Sequence, residues 1–147
     1  MTNKLKLSVT EAFYQLQNNC DFVEKSVKKE LSIKGRANLL IFNFTALLSI
    51  LNENSLTDKS LTEFVDILKS KISEDFQIDL EKTGDYIGNK MDIYNPLIVK
   101  FSNGDEIAHI LVSEFYFEET EIELIFRLGL SLSYLTNMIV MIADMIY

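Results

Sequence analysis

Leu97-Ile98-Val99-Lys100-Phe101, then Ser102-Asn103-Gly104-Asp105, then Glu106-Ile107-Ala108-His109-Ile110-Leu111-Val112 is the stretch that separates two fold classes for this chain. Asn-Gly between alternating apolar runs is the strongest short-range signal for a β-hairpin. Pairing across Asn103-Gly104 sets Leu97, Val99 and Phe101 on the same face as Ile110, Ala108 and Glu106. Five of those six are apolar, so the register is self-consistent. A rival reading has Asn95 capping a short helix with Pro96 at its first position and Gly104 ending it. Asp105 then caps another helix through Phe115. The β-branched content favours the hairpin. The expected fold is predominantly α-helical (α+β), a helical bundle-like core with a small β-hairpin near residues 97–112. An all-α bundle is the alternative.

Upstream, Phe76-Gln77-Ile78-Asp79-Leu80-Glu81 alternates apolar and polar like a strand, although Phe76, Leu80 and Ile87 also fit a helix face. Gly84 and Gly88 weaken the helical option. Further towards the amino terminus the pattern is helical. Ser60-Leu61-Thr62-Glu63 is a capping box, followed by Leu61, Phe64, Val65, Leu68 and Ile72 facing inward. A second helix from about Arg36 to Asn52 is apolar almost all round, which places it centrally, covered by neighbours. The first helix opens at a capping box, Ser8-Val9-Thr10-Glu11, and carries Val9, Phe13, Leu16, Cys20, Val23 and Val27 on one stripe. Gly35 is its expected stop.

Downstream, Thr120-Glu121-Ile122-Glu123 opens a long apolar helix running to Ile146, with acids suited to the positive helix start. Gly129 inside it permits close packing or a bend.

The 147 residues fit one domain, and the 48% apolar content suffices for a core without disulfide or metal. Cys20 is the sole cysteine, so no intramolecular disulfide forms. No apolar run follows the basic start Met1-Thr2-Asn3-Lys4-Leu5-Lys6-Leu7, which argues against a secretory signal. Both features point to the cytoplasm. The charge-free stretches Ala37 to Asn52 and Leu128 to Ala143 are sixteen residues each, short of a bilayer span, and are read as buried helices. No membrane association is expected.

Charge is unevenly placed. Residues 1–36 hold seven basic and four acidic residues, whereas the remainder holds seven and eighteen. Such a surface repels phosphate backbones, so nucleic acid is an unsuitable partner and a basic protein a suitable one.

The candidate chemical sites are few. Glu106-Ile107-Ala108-His109 has the spacing of a di-iron carboxylate helix, but His109 is the chain's sole histidine and a second such motif is absent. Cys20 lies in an apolar stripe and reads as a core residue. Lys25, Lys28, Lys29, Lys34 and Arg36 lack interleaved aromatics and read as a solvated helix end, or as a complement to the acidic half in self-association. No phosphate loop, nucleophile elbow or zinc-type spacing occurs. No catalytic residue, metal or cofactor is assigned. Glu114, Glu118, Glu119, Glu121 and Glu123 form the candidate partner-binding surface.

These observations lead to a non-enzymatic acidic interaction domain for a basic protein, in the manner of an immunity protein, antitoxin or adaptor. The alternatives are a helical domain with an apolar ligand pocket, and a structural homo-oligomer (a homodimer, for example) burying the carboxyl-terminal helix.

Overall fold

A computed structural model describes residues 7–51, 58–99, 104–115 and 122–145. They form six helices: α1 (Val9–Val27), α2 (Ile33–Ile50), α3 (Asp58–Phe76), α4 (Leu80–Val99), α5 (Gly104–Glu114) and α6 (Ile122–Met145). Among the described residues there is no strand, so the fold is the all-α alternative.

α1 starts where the sequence places it. The Glu11 amide donates to the Ser8 hydroxyl at 3.2 Å, and that hydroxyl donates to the Glu11 carboxylate at 3.0 Å. All six stripe residues are buried. The helix ends earlier than expected, at Lys28, whose left-handed backbone (φ 57°) lets two amides close on the Glu24 carbonyl. Gly35 instead sits in the first turn of α2, which Ser32 caps by accepting from the Gly35 amide at 3.1 Å.

α2 is the axle of the fold. It packs on α1, α3, α4 and α6, and every residue from Ala37 to Leu47 is buried. Its buried polar groups are satisfied: Asn43 and Thr45 donate to the Leu39 and Ile41 carbonyls one turn back, and Asn19 of α1 donates to the Asn43 side chain at 3.2 Å.

The strand-like stretch at residues 76–81 is a helix–turn–helix corner. Gln77 takes a left-handed backbone (φ 56°), and the Ile78 amide reaches back to the Ser73 carbonyl at 3.3 Å. Asp79 then caps α4 by accepting from the Lys82 amide at 2.8 Å.

The hairpin at residues 97–112 is corrected. Thr83, Ile87 and Tyr94 are buried at helical spacing, with Met91, Leu97 and Ile98 packed beside them. This longer period absorbs the five-residue alternation, and α4 runs through Pro96 rather than starting there. In α5 the buried set is Ala108, Leu111, Val112 and Phe115, a helical i, i+3, i+4, i+7 pattern. Ile110, which the hairpin would turn inward beside Ala108, is exposed. Residues 100–103, which include Ser102 and Asn103 of the proposed turn, lie outside the described residues.

α6 lies along α5, α1 and α2. Leu124, Leu128, Leu132, Leu135, Ile139 and Ile142 form its buried stripe, and Gly129 is buried beside them. The Leu7 amide donates to the Met145 carbonyl at 2.7 Å, tying the approach to α1 to the end of α6. By length and composition α6 is the one described helix that reaches the size of a membrane span, a signature shared by core helices of soluble proteins.

Candidate functional site

Of the five glutamates expected to form a partner-binding surface, the described residues include two. Glu114 is turned inward, with its carboxylate accepting from Lys90 Nζ at 2.7 Å and from the Tyr94 hydroxyl at 2.9 Å. Its backbone carbonyl accepts from the Asn38 amide at 2.6 Å, and the Asn38 side-chain oxygen accepts from the Tyr86 hydroxyl. Lys90 Nζ also lies 5.7 Å from the centre of the Tyr86 ring. Glu123 is exposed at the start of α6 and pairs with Arg127 one turn on, at 2.5 Å. Glu118, Glu119 and Glu121 lie outside the described residues, as does the His109 side chain.

The Glu114 network explains itself from the chain upward. α5 ends with carbonyls that no helical amide can satisfy. Asn38, fully buried on α2, supplies one donor. Gly35, one turn before it, allows the contact: a Cβ there would stand 2.4 Å from the Phe115 carbonyl oxygen. The Phe42 ring then meets Tyr94 and Phe115 edge-on at 5.7 and 6.2 Å. The five polar side chains therefore lock α2, α4 and α5 together. The sequence carried a signal for this, since a polar Asn38 in a charge-free helix must find a partner.

A second polar knot joins α1 to α2. Arg36 donates to Asp21 at 2.7 Å, to Glu24, and to the Gln17 carbonyl at 3.5 Å. The cationic cluster read from the sequence is therefore partly neutralised at Arg36. Cys20 lies beneath it, buried, and its thiol is pushed up to about 12 by burial, with Arg36 pulling modestly the other way. A thiol held protonated in this way is a poor nucleophile. No group of three His, Cys, Asp or Glu disposed around a metal occurs among the described residues.

Among the described residues, two surfaces stand out for outside contacts. The first is an open groove of about 880 Å³ between α3 and the start of α1, lined by Thr10, Lys59, Thr62, Glu63, Asp66, Ile67 and Ser70. Glu63, Asp66, Ser70 and Glu74 recur at steps of three and four along α3 and are exposed. On α4, Glu81, Asp85 and Asp92 form a similar exposed row. Among the described residues, Asp75 is the one acid of these two helices paired with a lysine, Lys71, at 3.2 Å. The second surface is the outer side of α6, where Phe126, Leu130, Tyr134, Val140 and Met141 are exposed.

No family model matches the chain, and no curated protein or solved structure matches it. The class that the described residues define is an all-helical fold in which α3 and α4 carry acidic outer faces.

Proposed function

We propose that this chain is a non-enzymatic binding domain for a basic protein, and that α3 presents the contact surface. The observation carrying this reading is the exposed Glu63–Asp66–Ser70–Glu74 row, of which the first three line an open groove of about 880 Å³. The net charge of −8 supports it, because a field of that sign draws in and orients a cationic partner. The row on α3 takes over the role that the sequence assigned to residues 114–123, since Glu114 is engaged inside the fold and Glu123 pairs with Arg127. Function in the cytoplasm, as a neutraliser or adaptor, is part of the same proposal.

The test is affinity capture from the source cell's lysate, at low and high salt, by the wild-type chain and by a Glu63→Lys/Asp66→Lys variant. The expected result is a basic protein retained at low salt, released as salt rises, and lost with the variant. Capture that ignores both salt and charge reversal would sink the reading.

A further inference from the structure

The outer face of α6 carries an order of its own. Arg127, Leu130, Tyr134, Asn137, Met141 and Asp144 follow one another at steps of three, four, three, four and three, the spacing of a coiled-coil seam. This row lies opposite the buried stripe. Leu130, Tyr134 and Met141 on it are 47%, 63% and 62% exposed, and Phe126 and Val140 flank it, exposed as well. Between Arg127 and Asp144 the row has no charge. Tyr134 keeps one edge against the Phe22 ring of α1, at 6.3 Å between centres. A helix apolar on both sides is a helix with two neighbours, and beyond that edge the described residues supply only the inner one.

We infer that a second copy of this chain covers the outer face, with α6 packed antiparallel on α6 about a two-fold axis. The charges at the ends of the row fix the direction. In an antiparallel pair centred between Tyr134 and Asn137, Arg127 of each copy, which also holds Glu123 of its own helix, meets Asp144 of the other, and Leu130 meets Met141. In a parallel pair Asp144 would face Asp144 and Arg127 would face Arg127. The antiparallel arrangement is isologous and closes as a dimer. It also sets the two helix dipoles in opposition. With each exposed apolar side chain contributing on the order of 100 Å², the five and their polar rim bring the two copies to about 1,000 Å², the lower bound for a specific interface. A bilayer surface suits this face less well, because its flanks carry Glu123 and Asp144 and one cation, Arg127, where an interfacial helix needs a basic border. The inference stands apart from the α3 reading, and either can fail alone.

The test is analytical ultracentrifugation of the full chain over a wide concentration range, with circular dichroism confirming that each variant stays helical. Wild type is expected to be a dimer, and Met141→Glu to raise its dissociation constant by about a hundredfold or more. Arg127→Asp is expected to weaken the dimer, and Arg127→Asp/Asp144→Arg to restore it. In a Cys20→Ser background, Leu130→Cys/Met141→Cys cross-links on oxidation while Leu130→Cys alone does not. The inference is overturned by a wild-type monomer, by a dimer indifferent to Met141→Glu, or by cross-linking of Leu130→Cys alone. A monomer that sediments with vesicles of phosphatidylcholine and phosphatidylglycerol would overturn it in favour of lipid.

Discussion

Asn38 and Glu114 are 76 residues apart in the chain and 2.6 Å apart in the fold, side-chain amide to backbone carbonyl. Through this pair the buried central helix holds the end of α5, and Tyr86 on α4 completes the Asn38 side chain from the other direction. Asn38→Ala deprives both the carbonyl and the Tyr86 hydroxyl of their partner. Leaving buried polar groups unpaired costs roughly 1–3 kcal/mol each, so the variant is expected to lose about 2–4 kcal/mol. Urea unfolding followed by circular dichroism measures it. A loss below about 0.5 kcal/mol would mean that water replaces the amide and that the contact positions nothing.

Two glycines give opposite expectations from one substitution. Gly35→Ala adds a methyl group 2.4 Å from the Phe115 oxygen, which is backbone and cannot rotate aside. α5 must move, at a cost of about 1–3 kcal/mol, even though alanine is the better helix former. Gly88→Ala lies on an exposed part of α4 with nothing within 4 Å of the new methyl, and is expected to gain roughly 0.5–1 kcal/mol. Thermal unfolding of the pair separates close packing from helix propensity. A gain at both positions would contradict the docking of α5 on α2.

Gly35 also marks where sequence reading stopped. α1, α2, α3 and α6 were legible because each carries a cap or a long apolar period that outvotes local accidents, such as Ser8 and the stripe from Val9 to Val27; Ser60, expected to open α3, lies inside it, since the helix already starts at Asp58. Gly35 looked like a helix stop because glycine commonly is one. Its actual role depends on Phe115, a residue eighty positions away that no local pattern announces. The stretch from 97 to 112 failed for a related reason. The β-branched run from Leu97 to Phe101 suits a strand when taken by itself, whereas the helical period that governs α4 starts at Thr83. The candidate surface was less legible still. Glu114 is acidic and stands between Ser113 and the aromatic run Phe115-Tyr116-Phe117, yet only the fold brings Lys90 and Tyr94 to it. The outer row on α6 does not stand out from a helix that is apolar almost throughout until the inner stripe is seen to be buried.

Cys20 predicts a pH dependence with a definite sign. Burial raises its thiol from an ordinary 9.0 to about 12, so the folded chain keeps a proton that the unfolded chain gives up. Stability from this group is fully present below about pH 9 and is lost as pH rises towards 12, at up to about 1.4 kcal/mol per pH unit between them. Lysines and tyrosines titrate in the same range, so the comparison is with Cys20→Ala. The variant starts lower because of the cavity but is expected to fall less steeply between pH 8 and 10.5. Parallel slopes would show that the thiol ionises freely in the folded chain. A thiol reagent applied at pH 8 is expected to label Cys20 only after denaturation.

Pro96 tests the helical reading of the stretch that divides the fold classes. It stands inside α4, three residues before the helix ends at Val99. Its missing amide leaves the Asp92 carbonyl without a helical donor, and its ring crowds that carbonyl. Proline costs about 3 kcal/mol against alanine in a helix interior. Two effects reduce the gain from removing it: its place in the last turn, where fraying relieves the clash, and about 0.4–1 kcal/mol of restraint that it imposes on the unfolded chain. Pro96→Ala is therefore expected to stabilise by roughly 1–2 kcal/mol, read as a higher urea midpoint at unchanged slope. A β-hairpin starting at Leu97 would respond in the opposite direction. There Pro96 precedes the first strand residue, donates nothing and rigidifies the approach, so its removal would only loosen the chain. Destabilisation by Pro96→Ala would return residues 97–112 to the hairpin, and stabilisation would fix them as the end of α4 and the start of α5.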